Sequence, residues 1–105
     1  MLFDNGVWNH CQGPVDYLRR LGVKQIDYQV ISHYHADHLG CSKQVLALAP
    51  LIKASFDRGG SYPGLPFQQY MDAVKGKRKT VQSGEVVKLD EDSDDPVTIE
   101  FVALN

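Results

Sequence analysis

The chain has 105 residues, enough for one small domain with a modest core. Hydrophobic residues make up 43% and charged residues 23%, the balance of an ordinary soluble globular protein. A net charge of −2 offers no global basic field for nucleic acid, and no apolar run approaches the roughly 20 residues of a membrane helix.

Met1-Leu2-Phe3 reads as strand, stopped by the turn signal Asp4-Asn5-Gly6. This start has neither the basic residues nor the long apolar stretch of a signal peptide, which favours a cytoplasmic chain. Val7 to Gln12 is a loop carrying Trp8, His10 and Cys11. A lone loop histidine such as His10 is more often solvated or packed than a ligand. Cys11 and Cys41 are too few and too far apart for a disulfide framework. Cys41 lies three residues after His38; a small buried hydrophobe is the expected role, with thiolate ligation the alternative.

Gly13-Pro14 opens a helix whose Val15, Leu18 and Leu21 share one face, and Gly22 ends it. Ile26, Tyr28 and Val30 alternate with Asp27 and Gln29, the pattern of a half-buried strand that runs inward at Ile31. At its C-terminal end stands His33-Tyr34-His35-Ala36-Asp37-His38, which holds three of the four histidines. Imidazole and carboxylate are donors that borderline divalent metals prefer. If His33 and His35 stay extended they point to one side. The bland alternatives are a solvated polar loop or histidines capping a helix.

Gly40 to Ala49 is the next predicted helix, and Leu51 to Phe56 a short strand. Asp57-Arg58-Gly59-Gly60-Ser61 is a glycine loop in which Arg58 either contacts an anion such as phosphate or is simply solvated. After the rigid turn Pro63-Gly64-Leu65-Pro66, the spacing of Phe67, Tyr70, Met71 and Val74 predicts an amphipathic helix packed on the core. Lys75, Lys77, Arg78 and Lys79 form a basic run, expected to be a solvated face rather than a nucleic-acid contact. Glu85 to Leu89 is a strand after the Ser83-Gly84 turn. Asp90 to Asp95 is an acidic loop without the ligand pattern of an EF-hand. Val97, Ile99, Phe101 and Ala103 alternate through a last strand.

The motif His33-x-His35-x-Asp37-His38, after a hydrophobic strand and before Leu39-Gly40, resembles the signature of the metallo-β-lactamase superfamily. Its flanks, Tyr17-Leu18-Arg19-Arg20-Leu21-Gly22-Val23 and Phe56-Asp57-Arg58-Gly59-Gly60, are similar to the hydrolase-like domain of bacterial DNA-uptake competence channels. The resemblance implies an α/β fold: a single truncated domain over 1–105, about the first half of an αββα sandwich, with helices packed on a mixed sheet. It implies two divalent ions, zinc first and manganese second. His33 and His35 would hold one ion, Asp37 and His38 the other. Asp37 would also handle the nucleophilic water, and Asp4 would orient a ligand histidine, with a plain turn-forming Asp the equal alternative.

The family supplies further ligands, two of them histidines, from segments after the motif, and no histidine follows His38 here. Under-filled metals and an uncovered sheet predict self-association or a complementing chain. The implied activity is metal-dependent hydrolysis, with phosphodiesters ahead of other small-molecule substrates. The alternative is a non-catalytic metal-binding or protein-interaction fragment. Nucleic-acid binding without chemistry rests only on Lys75 to Lys79 and is the poorest reading.

Overall fold

The computed structural model describes residues 1–88 and 98–101. Four strands form a parallel sheet in chain order: β1 (Leu2–Phe3), β2 (Ile26–Val30), β3 (Leu51–Asp57) and β4 (Arg78–Thr80). Parallel neighbours cannot be joined by a tight turn, so each connection carries helix. Helix α1 (Gln12–Arg20) links β1 to β2. The short α2 (Ala36–Leu39) and α3 (Ser42–Leu48) link β2 to β3, and α4 (Leu65–Ala73) links β3 to β4. Strands β5 (Val86–Lys88) and β6 (Thr98–Glu100) pair antiparallel as a second sheet. The expected α/β fold with helices packed on a sheet is therefore present. Its mixed strand directions are divided between two sheets. No helix among the described residues is long and apolar enough to cross a membrane.

The helical face carries the larger apolar cluster. Ile26, Ile31 and Leu51 from the sheet region meet Leu39, Val45, Leu46, Phe67, Tyr70 and Val74 from the helices and their ends. Burying each such side chain contributes about 1.5–3 kcal/mol. The predicted stripe on α4 packs as expected, with Met71 at its margin. On α1 the face holds for Val15 and Leu18, but Leu21 lies past the helix end and is largely exposed. A second cluster gathers Val30, Ala54, Phe56, Val81 and Val87, with Tyr28 and Phe101 against it. On β3, Leu51 joins the first cluster and Ala54 and Phe56 the second, as pleating requires; on β2, Ile26 joins the first and Val30 the second, with a register irregularity between Ile26 and Tyr28.

Two expectations are corrected here. Gln29 is not the solvated member of an alternating strand; it is fully buried. Its amide accepts from Asn5 Nδ2 at 2.9 Å and donates to Ser55 Oγ at 3.2 Å. Both faces of β2 are covered, so alternation marks a change of cluster rather than of solvent. The cysteines are not separate thiols. Cys11 and Cys41 form a disulfide with Cα atoms 5.4 Å apart, and both are buried. Thiolate ligation by Cys41 is thereby removed. The chain brings together positions 30 residues apart because Gly6 bridges to Leu39 and Asn5 accepts the Cys41 amide at 2.8 Å.

In the basic run Lys75, Lys77 and Lys79 are exposed as expected, and Arg78 is the exception. The run enters β4, where Arg78 pairs with the buried Asp57, Nε to Oδ2 at 2.6 Å. Lys77 Nζ donates to the Leu51 carbonyl at 2.6 Å. The acidic loop Asp90 to Asp95 lies outside the described residues, as do Val97 and Ala103 of the last predicted strand.

Gly40 is a place where only a hydrogen fits. A Cβ there would overlap the Trp8 backbone and the Ala36 carbonyl. The N-terminal loop crosses at this point, with Trp8 N donating to Ala36 O at 2.9 Å and Gly40 N to Gly6 O at 3.1 Å. Gly40→Ala is therefore expected to lower unfolding stability by about 3 kcal/mol, because the clash is with backbone. Urea titration checks this, and an unchanged midpoint would refute the close approach. Reducing Cys11–Cys41, which closes a separation of 30 residues, is expected to cost about 3–4 kcal/mol on the chain-entropy scale. Unfolding with and without a thiol reductant tests that figure.

Candidate metal centre

The C-terminal ends of parallel strands lie along one edge of the sheet, where loops of α/β folds gather ligands. β1 ends into Asp4, β2 into the segment from Ile31 to His35, and β3 into Arg58. Three segments distant in sequence thus open side by side.

Segment 33–35 leaves β2 with its side chains alternating. Tyr34 turns inward and is only 2% exposed, whereas His33 is half-buried and His35 exposed. His35 then precedes α2 as its cap residue, and Asp37 falls in the first turn. The outcome is that single donor atoms of His33, His35 and Asp37 lie within 4.8 Å of one another. Two nitrogens and a carboxylate oxygen at that spacing suit a borderline divalent ion. The His33 and His35 rings meet edge to face at 5.0 Å.

His38 stands beside this group. Its ring centroid is 3.6 Å from that of His33, and its Nε2 is 3.4 Å from Asp37 Oδ2. Its Nδ1 is 2.8 Å from Asp4 Oδ2. A carboxylate oxygen accepts, so Nδ1 is the donor of this pair, and Nε2 is the ring nitrogen turned towards Asp37. Asp4 is itself fixed: its Oδ1 accepts the Ser32 amide at 2.8 Å and its Oδ2 the Ser32 hydroxyl at 2.7 Å. Its backbone adopts φ 54°, a left-handed conformation that Asp tolerates better than most residues.

Beneath the histidines lies a buried polar group that the sequence did not announce. Asp57 is 1% exposed. Its Oδ2 accepts from Tyr70 Oη at 2.7 Å as well as from Arg78, and its Oδ1 accepts the Gly59 amide at 2.8 Å. Tyr34 Oη donates to the Gly59 carbonyl at 2.8 Å and accepts from Arg78 Nη2 at 2.9 Å. Burial, above all, raises the Tyr34 and Tyr70 phenols beyond their ordinary value, so both stay neutral donors. The Asp57 carboxylate, accepting from Arg78, raises that guanidinium further.

Arg58 is exposed and lies over the Tyr34 ring, 4.6 Å from its centroid. It has no carboxylate within 4.0 Å among the described residues. Tyr62 packs 5.8 Å from the His35 ring and 6.3 Å from Tyr34. His10 is exposed and belongs to no metal-binding group among the described residues. The sequence reading missed Ser32, Tyr34, Tyr62, Asp57 and Arg78. For Asp57 one signal was present: a carboxylate ending an apolar strand rather than opening the loop.

Neither curated proteins nor solved structures gave a match to the chain. The family model described as "Metallo-beta-lactamase superfamily" matches residues 2–103, nearly the whole sequence, and takes in the strand, the histidine motif and the glycine loop. The chain belongs to the metallo-beta-lactamase superfamily.

Proposed function

We propose that this protein is a metal-dependent hydrolase acting on phosphodiesters. Superfamily membership supports the metal-dependent hydrolase kind. The observation that carries the reading is the convergence of His33, His35 and Asp37 donors within 4.8 Å. The donor set fits zinc first and manganese second, since both accept mixed nitrogen and oxygen ligands. His33 and His35 are the proposed ligands of one ion, and Asp37 with His38 of a second. When bound, such ions would lower the pKa of their water to about 7 and polarise the oxygen under attack.

The remaining steps belong to the chain's own groups. Asp37 is exposed at the mouth of the site, so its carboxylate can orient the attacking water and accept its proton. Asp4 holds His38 by Nδ1 and keeps Nε2 turned to the site. Arg58, without a carboxylate partner among the described residues, lies over Tyr34, the residue between His33 and His35, and its guanidinium suits a phosphoryl oxygen. The flanking likeness to competence-channel domains, whose context is DNA, supports the phosphodiester class.

A second reading has its own support. Four donors shared between two ions leave each below the four ligands usual for zinc. A metal-binding module without turnover satisfies the same geometry.

Elemental analysis of the protein after zinc loading and desalting should show at least one zinc per chain, falling about ten-fold or more in His33→Ala. Equal content in both would sink the metal-centre proposal. With zinc or manganese added, bis-p-nitrophenyl phosphate should be cleaved, and Asp37→Asn should slow the reaction about 100-fold or more. Bound metal without turnover would select the second reading.

A further inference from the structure

The Asp57–Arg78 pair sits under the site without touching it at any donor atom of the metal group. Replacing a buried ion pair by apolar residues is often neutral or stabilising, so stability alone is a weak reason for one. Apart from the bond to Tyr70 on α4, its bonds lead to the segments that carry the functional groups. Arg78 Nη2 reaches both Tyr34 Oη, at 2.9 Å, and the Gly60 carbonyl, at 2.8 Å. Asp57 takes the Gly59 amide and Tyr34 takes the Gly59 carbonyl. The glycine loop is therefore gripped at three backbone points. Gly59 and Gly60 both adopt positive φ, 80° and 70°, and a Cβ at Gly59 would meet Thr80 at 2.9 Å. A loop so tightly turned presents Arg58 in one place, over Tyr34.

Tyr34 is the link to the metal group. It lies between His33 and His35 on the same stretch of backbone. Its ring is wedged against Phe67 at 4.9 Å and its hydroxyl is held at both lone-pair and proton positions. Fixing that side chain fixes the rotation of the segment and hence the direction of both imidazoles.

We infer that Arg78, braced by Asp57, is a positioning residue that acts through Tyr34 to aim the His33–His35 pair and through the glycine loop to place Arg58. The inference rests on the metal-centre reading. Outer partners of metal ligands typically tune affinity by about 10–100-fold.

The test compares Arg78→Gln and Tyr34→Phe with Val87→Ala, which weakens the cluster on the other face of the sheet. Zinc affinity is measured by competition with a chelating indicator, at a temperature where circular dichroism shows each variant folded. Long-range 1H–15N spectra of the zinc-free proteins report the imidazoles. Arg78→Gln and Tyr34→Phe should each weaken zinc about ten-fold or more and move the His33 and His35 resonances. The double variant should be no weaker than the worse single one, because both changes cut one path. Val87→Ala should lower the melting temperature and leave affinity and resonances alone. Wild-type affinity and unmoved imidazoles in the first two variants would overturn the inference, as would an equal loss of affinity in Val87→Ala. If Arg78→Gln fails to fold, Tyr34→Phe decides, since it removes one oxygen and keeps the ring. If the wild-type protein takes up no zinc, the metal-centre reading fails, and the imidazole resonances still decide whether Arg78 aims the pair.

Discussion

A chain of buried side-chain hydrogen bonds crosses the sheet beneath the helices, and the register of the strands depends on it. It runs from Asn5, just past β1, to Gln29 on β2, then Ser55 on β3, Tyr70 on α4, Asp57 on β3 and Arg78 on β4. Asn5 also joins Ser42 and the Cys41 amide. Among the described residues no buried side-chain nitrogen or oxygen lacks a partner. Each buried polar group left unpaired would cost about 1–3 kcal/mol. Shifting β2 by one residue would carry Gln29 into the apolar cluster of Val30 and Phe56 and strand its amide there. Apolar burial favours many pairings of these strands; the polar chain favours one.

That one register decides where the chemistry falls. Because the four strands are parallel and aligned, Asp4, Ser32 to His35, and Arg58 emerge at a common edge. Asp4 reaches Ser32 and His38 only because Phe3 is paired with Val30. The register shift between Ile26 and Tyr28 sets three residues of β3 against two of β2, which brings Val30 opposite Phe56. The Asp57 carboxylate then lies below the segment that holds Tyr34. The disulfide and the close approach at Gly40 tie the N-terminal loop to the turn after α2.

The sequence showed those parts of this arrangement whose determinants are local. The histidine cluster, the helix periodicity of Phe67, Tyr70 and Val74, and the glycine stops depend on residues a few positions apart. The likeness of His33 to His38 and its flanks to a known superfamily was likewise carried by short stretches. What stayed hidden has partners far along the chain. Gln29 looked solvated because alternation cannot distinguish a second apolar cluster from water. Arg78 looked solvated because its neighbours are lysines, while its partner Asp57 is 21 residues earlier. The cysteines looked unrelated because only the folded loop brings them together. In each case burial of a polar or reactive group was decided by tertiary packing, which hydrophobic pattern does not record.

The division between local and distant determinants follows the division between donor atoms and their aim. His35 and Asp37 are exposed, so little packing touches their functional atoms and little stability is at stake in them. Such side chains lose rotamer freedom when an ion or substrate orders them, and that entropy opposes binding. The site limits the loss from below. Ile31, Tyr34 and Leu39 are almost wholly buried, and they bracket the motif within its own sequence. With those three side chains fixed, the backbone that carries the donors has few ways to turn. The buried residues of the motif therefore govern how well the exposed ones work, and Tyr34, the one among them with a polar end, is where the distant network takes hold.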